Sequence, residues 1–177
     1  PYDSYTLMSD QEVADLYAAL LATPPVDTPS KPHEVSFPFD QRWVLAGWKH
    51  LFFHPGRYVP DPSKSDVWNR GRYIALGPGH CVTCHSPRNA LGGIDPGTEL
   101  SGNPDKSGPG GRAPPLIADS LKKHGFDAGS LAQTLTDAFT PDGDSLGGAM
   151  GEVVEDETSQ WTDDDRKAVA TYLLGGG

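Results

Sequence analysis

The sequence predicts an all-α fold in which short helices surround one chemical centre. Apolar residues recur at helical spacing in separate stretches along the chain. Several of these stretches open on a capping residue, Ser9, Ser65 or Thr162. The only two cysteines share one pentapeptide, Cys81-Val82-Thr83-Cys84-His85, directly after a helical stretch and a Gly77-Pro78-Gly79 break.

Taken in order, Pro1 to Met8 lead straight into a first helix. Ser9 with Glu12 makes a capping box, and Val13, Leu16, Tyr17 and Leu20 fall at i, i+3, i+4 and i+7 on one face. That stripe needs a partner surface, and Pro24-Pro25 stops the helix. Residues 26–40 are rich in proline and polar residues and read as an irregular linker. Gln41 to Phe53 is predicted helical, with Trp43, Trp48, Phe52 and Phe53 as core or interface bulk. A further proline-bearing loop, His54 to Ser63, follows it. His33, His50 and His54 have no partner at ligand spacing.

Ser65-Asp66 starts the helix that feeds the cysteine motif. Gly71 and the aromatic residues beside it suit close crossing by a second helix, because glycine lets two backbones approach. The predicted partner is the last helix, capped by Thr162, with acids at its positive end and a packing stripe of Val169, Tyr172 and Leu173. Between them, residues 92–115 are loop-rich, Ser130 to Phe139 is predicted helical through Leu131, Leu135 and Phe139, and Met150 falls in a glycine-rich loop. An N-terminal helical and Pro-rich extension followed by this order of elements is that of a class I cytochrome c domain.

The composition bounds the function. Of 177 residues, 36% are hydrophobic, with 21 Gly and 17 Pro, so loops are extensive and the apolar core is small. A large apolar macrocycle would supply much of the missing core. The net charge of -10 argues against nucleic acid; part of it suits steering of a basic redox partner. The longest apolar runs, such as Ala168 to Leu174, are too short for a transmembrane segment. Pro1 is no initiator and no signal-like stretch precedes the first helix, so a mature, processed or fragmentary chain is expected, one exported to the periplasm.

CxxCH is the attachment signature of haem c: two thiols form thioethers and the adjoining histidine ligates iron. A thioredoxin-like pair would need a preceding strand, and a zinc site more ligands. With both cysteines committed to haem, no disulfide is expected. Met150 is the predicted distal ligand, with His124 as the bis-His alternative, since His80 adjoins Cys81 and cannot reach the far face. The carbonyl of Pro114 or Pro115 is predicted to accept the His85 ring N–H. Arg88 is a candidate for a haem propionate, or equally a surface arginine. With both axial positions filled, relay is favoured over catalysis and no catalytic residue is assigned. The alternatives are a haem enzyme, such as a thiosulfate-oxidising or peroxidase-like dihaem cytochrome, and a thiol oxidoreductase using Cys81 and Cys84.

Several motifs together, Phe37-Pro38-Phe39, Gln41-Arg42-Trp43, Ala46-Gly47-Trp48, Leu51-Phe52-Phe53, Trp68-Asn69-Arg70-Gly71, Cys84-His85-Ser86-Pro87-Arg88-Asn89 and Met150-Gly151-Glu152, carry a resemblance. The chain resembles the multihaem cytochrome c subunits of bacterial membrane-associated alcohol and gluconate dehydrogenases and their dihaem periplasmic relatives. The resemblance implies electron transfer from a dehydrogenase donor to a cytochrome or oxidase of the respiratory chain. It implies Met150 as axial ligand and Arg88 near the propionates. It also implies three parts: residues 1–21 as the end of a preceding haem domain with Met8 as that domain's axial ligand, residues 22–64 as a connector, and residues 65–177 as the haem domain. No CxxCH precedes Met8 in this sequence. A second haem is therefore expected in an N-terminal part that is removed or carried on a separate polypeptide.

Overall fold

The computed structural model describes residues 2–105 and 111–176. Among them the regular structure is helical, with isolated bridges at Asn103–Ala113 and Phe139–Ser145 and no strand. Part of the predicted 92–115 loop, residues 106–110, lies outside the described residues, as do Pro1 and Gly177.

The predicted starts are formed by the expected chemistry. A single short turn, α1 (Tyr2–Tyr5), precedes α2 (Asp10–Ala22). Ser9 and Glu12 make the reciprocal capping box of α2. Next comes α3 (Arg42–Phe52), then α4 (Asp66–Leu76), where the Ser65 side chain accepts from Trp68 N–H. The cysteine motif forms a one-turn helix, α5 (Cys81–His85). α6 (Ala118–Lys123), α7 (Ala128–Asp137) and α8 (Gly148–Asp156) follow, and after a 3-10 turn at Thr158–Gln160 comes α9 (Asp163–Leu173), whose cap Thr162 accepts from Asp165 N–H.

The crossing of α4 and α9 organises the molecule. Gly71 is the point of closest approach: a Cβ built there would lie 1.9 Å from the Ala168 carbonyl oxygen and 2.9 Å from Tyr172 Cβ. Only a residue without a Cβ permits that contact. One turn earlier, the rings of Trp68 and Tyr172 meet edge to face at 5.2 Å. Arg70 and Asp165 bridge the two helices in a bidentate pair at 2.7 and 3.0 Å. Around this crossing, Ile74, Leu121, Leu131, Leu135, Val169 and Leu173 form the buried core.

Three features depart from the sequence expectation. Phe139 lies beyond α7, past Ala138 in the left-handed conformation (φ 63°), and is 59% exposed instead of completing the Leu131/Leu135 stripe. Met150 is in the first turn of α8 and not in a loop; its glycine neighbours masked a helix whose buried member is Val154. The aromatic residues of α3 divide, with Trp48 and Phe52 partly covered and Trp43 74% exposed.

The first 21 residues divide as well. Leu7 and Met8 pack with the buried core, and this segment is tied down by Tyr58 N–H donating to Leu7 O at 3.0 Å and by Arg57 donating to Thr6 O at 3.0 Å. α2 has no buried residue, and its stripe lies open, with Val13 44%, Leu16 45%, Tyr17 63% and Leu20 63% exposed. The segment before α4 is fastened differently. Buried Asn69 accepts from Asp61 N–H at 2.7 Å and returns a bond to Asp61 O at 2.8 Å, while Tyr58 Oη also donates to it.

Candidate functional site

The break after α4 delivers α5 to the core. Gly79 N–H donates to Ile74 O at 2.9 Å, and a Cβ at Gly79 would press on the Trp161 ring at 3.0 Å. His80 enters the turn at φ 36°, which swings the chain so that Cys81, Cys84 and His85 share one helical turn. Cys81 and Val82 pack against the core, both thiols are free, and His85 is 8% exposed.

A loop laid under the motif fixes the imidazole. His85 Nδ1 lies 2.7 Å from Pro114 O, so Nδ1 carries the proton and donates, because a carbonyl only accepts. Nε2 is then the lone-pair nitrogen. Of the two prolines offered by the sequence, the structure selects Pro114. The loop is pinned by Gly102 N–H to His85 O at 2.8 Å, Leu100 N–H to the fully buried Ser86 Oγ at 3.0 Å, and the reciprocal Asn103–Ala113 bridge. Gly102 adopts φ 94° against Pro115, where a Cβ would lie 2.9 Å from the proline ring.

Electrostatics agree with a ligand histidine and a protonated Cys81 thiol. Burial lowers the His85 pKa, opposed by the bond to Pro114, so the ring is neutral near pH 7. Burial, with the Glu157 carboxylate adding to it, pushes the Cys81 thiol up to about 12. A thiol so hard to ionise is a poor redox nucleophile, which counts against Cys81 as the attacking thiol of the thiol-oxidoreductase alternative. Among the described residues no group of three or more His, Cys, Asp or Glu side chains is placed to hold a metal ion.

The remaining candidates occupy distinct places. Met150 is half-buried and packs against the core cluster from α8. Arg88 donates to Thr83 O at 3.0 Å and Gly92 O at 3.2 Å, folding the chain after His85 back onto α5. His124 is exposed at the end of α6, with Nδ1 2.8 Å from Ser120 O. Met8 is 7% exposed within the core cluster that contains Tyr73 and Ile74. Sequence reasoning missed Asn103, which is 1% exposed and whose Nδ2 has no hydrogen-bond partner among the described residues. Its Oδ1 accepts from Asp105 N–H at 3.0 Å, and the buried amide nitrogen, in the loop that carries Pro114, suits a site completed by a group with polar substituents. No periodicity announces such a residue.

No protein-family model matches the chain. Several relatives align with 98% of it, three of them as follows. A diheme cytochrome c-type protein of Cereibacter sphaeroides is 44% identical and is covered over 56% of its own length. The fructose dehydrogenase cytochrome subunit of Gluconobacter japonicus is 35% identical with 35% covered, and the cytochrome c subunit of the quinone alcohol dehydrogenase of Komagataeibacter europaeus is 32% identical with 38% covered. The chain is a homologue of these cytochromes c. It spans about half the length of the first relative and little over a third of the others.

Homology to these cytochromes identifies the cofactor as covalently bound haem c, and Cys81 to His85 is the one attachment motif in the chain. The donor set fits it: two cysteines and a neutral, oriented imidazole on one turn, backed by apolar core. Among the described residues no helix is long and apolar enough to cross a membrane.

Proposed function

We propose that the chain relays single electrons from a dehydrogenase to a cytochrome or oxidase of the respiratory chain, in the periplasm, through a haem c ligated by His85 and Met150. The observation that carries this reading is the His85–Pro114 hydrogen bond, which commits Nδ1 and leaves Nε2 as the donor atom. Haem c supplies a one-electron Fe(II)/Fe(III) couple, and a thioether ligand raises its potential relative to a second histidine. Cys81 and Cys84 would hold the group covalently, the Pro114 carbonyl fixes the tautomer and makes His85 more electron-rich, and Arg88, in the loop it closes, would pair with a propionate. Met150 on a packed helix, compared with exposed His124, supports methionine as the distal ligand.

The domain reading belongs to the same proposal: residues 65–177 are the haem domain, 22–64 a connector, and 1–21 the end of a preceding haem domain. The open stripe on α2 and the diheme relative, of which this chain covers 56% while carrying one CxxCH, support it. A role for Met8 as ligand of that first haem requires it to leave the core packing it makes here.

The visible spectrum and a redox titration test the ligation. The wild type is expected to show a low-spin c-type spectrum with the far-red Met-to-Fe(III) band, and Met150→Ala to lose that band and titrate at lower potential. An unchanged band and potential in Met150→Ala would overturn Met150 as ligand.

A further inference from the structure

The connector helix α3 makes a specific contact with the segment that follows the haem motif. Trp48 Nε1–H donates to Leu91 O at 2.9 Å. One turn on, the Phe52 ring occupies the space beside Gly93: a Cβ built there would lie 2.3 Å from Phe52 Cδ1. The two rings pack at 5.3 Å, so they act as one unit. The segment they grip is tied to the motif by Arg88, bonded to Gly92 O on one side and Thr83 O inside α5 on the other. Asn89 Oδ1 closes the same turn by accepting from the Leu91 and Gly93 N–H groups.

From this chain of contacts we infer that α3 is a latch on the haem site, with Trp48 and Phe52 as positioning residues that hold the 86–93 segment closed beside Cys84 and His85. The connector is then part of the haem environment as well as a spacer. The physical consequence is control of water. A haem edge covered by a closed segment has a higher potential than one reached by solvent, because water stabilises the ferric charge. Released from Trp48 and Phe52, the segment opens and the potential falls. The inference rests on haem c at Cys81 to His85 and is independent of which residue is the distal ligand.

Four variants of the haem-loaded chain test it: Trp48→Phe, Phe52→Ala, Gly93→Ala and the Phe52→Ala/Gly93→Ala double. Each is read by midpoint potential and by amide exchange of residues 86–93. Trp48→Phe keeps an aromatic ring and removes only the bond to Leu91, so it remains informative where a truncated variant folds poorly. Each single variant is expected to lower the potential and to raise exchange in 86–93 by about tenfold. The double variant should lie nearer the wild type than the sum of its singles, because the methyl group added at position 93 enters the space that Phe52 vacates. Unchanged potentials in all the variants, or strictly additive effects in the double, would overturn the latch. The far-red band, recorded on the same samples, reports Met150 ligation separately, so failure of the latch is distinguished from failure of the ligand assignment.

Discussion

One carbonyl oxygen does much to define the chemistry at His85. An imidazole free to choose its tautomer would present either nitrogen; the Pro114 oxygen at 2.7 Å removes that choice. The two sulfurs then decide permanence. In Cys81→Ser or Cys84→Ser one thioether remains, so the denatured chain is expected to keep haem mass, whereas the double Cys81→Ser/Cys84→Ser chain should release it; denaturing mass spectrometry reads the difference. These residues were legible in the sequence because CxxCH encodes its chemistry locally. Pro114 was legible only to within one residue, and Asn103 was not legible, since its burial arises from a bridge to Ala113 across the loop.

At the scale of elements, the α4–α9 crossing holds the motif in place. Gly71→Ala puts a methyl into the Ala168 carbonyl, and a loss of about 1–3 kcal/mol is expected by urea titration. Gly47→Ala is the contrast: that glycine lies inside α3 with nothing within 4 Å of its would-be Cβ, so a gain of about 0.5–1 kcal/mol is expected. The Arg70–Asp165 pair gives the crossing a pH dependence. Arg70 holds the Asp165 carboxyl below its ordinary 3.8. The pair therefore stabilises the fold above that ordinary value and is lost as pH falls through the lower folded value. Arg70 is about half exposed, so the contribution is less than about 1 kcal/mol. Asp165→Asn should remove it, leaving a smaller stability difference between pH 7 and pH 3. The ends of α4 and α9 were readable from Ser65 and Thr162, but the helical state of Met150 was not. α8 starts on Gly147 with no side-chain cap, so no local signal marks its start.

The whole molecule is electrically lopsided. From Asp127 to Asp165 the chain carries acids and neither lysine nor arginine, and Met150 lies within that stretch. Electron transfer to a cationic partner is expected to slow as ionic strength rises from about 0.01 to 0.1 M, because the Debye length shrinks from about 30 to 10 Å; stopped-flow rates against salt check it. The α2 stripe makes a second prediction at this scale. In this chain Leu16→Lys and Leu20→Lys face solvent and should change stability by no more than about 0.5 kcal/mol. In a longer protein with a preceding haem domain, the same changes should weaken the contact between domains.

By itself the sequence determined the helical class, the starts of α2, α4 and α9, and the haem attachment point. Capping boxes, helical periodicity and CxxCH are all written within a few neighbouring residues. The tertiary structure decided which carbonyl orients His85, why position 71 is glycine, which aromatic residues of α3 touch the segment after the cysteine motif and which stay open. Those outcomes depend on residues tens of positions apart meeting in space: Pro114 with His85, Ala168 with Gly71, and Phe52 with Gly93.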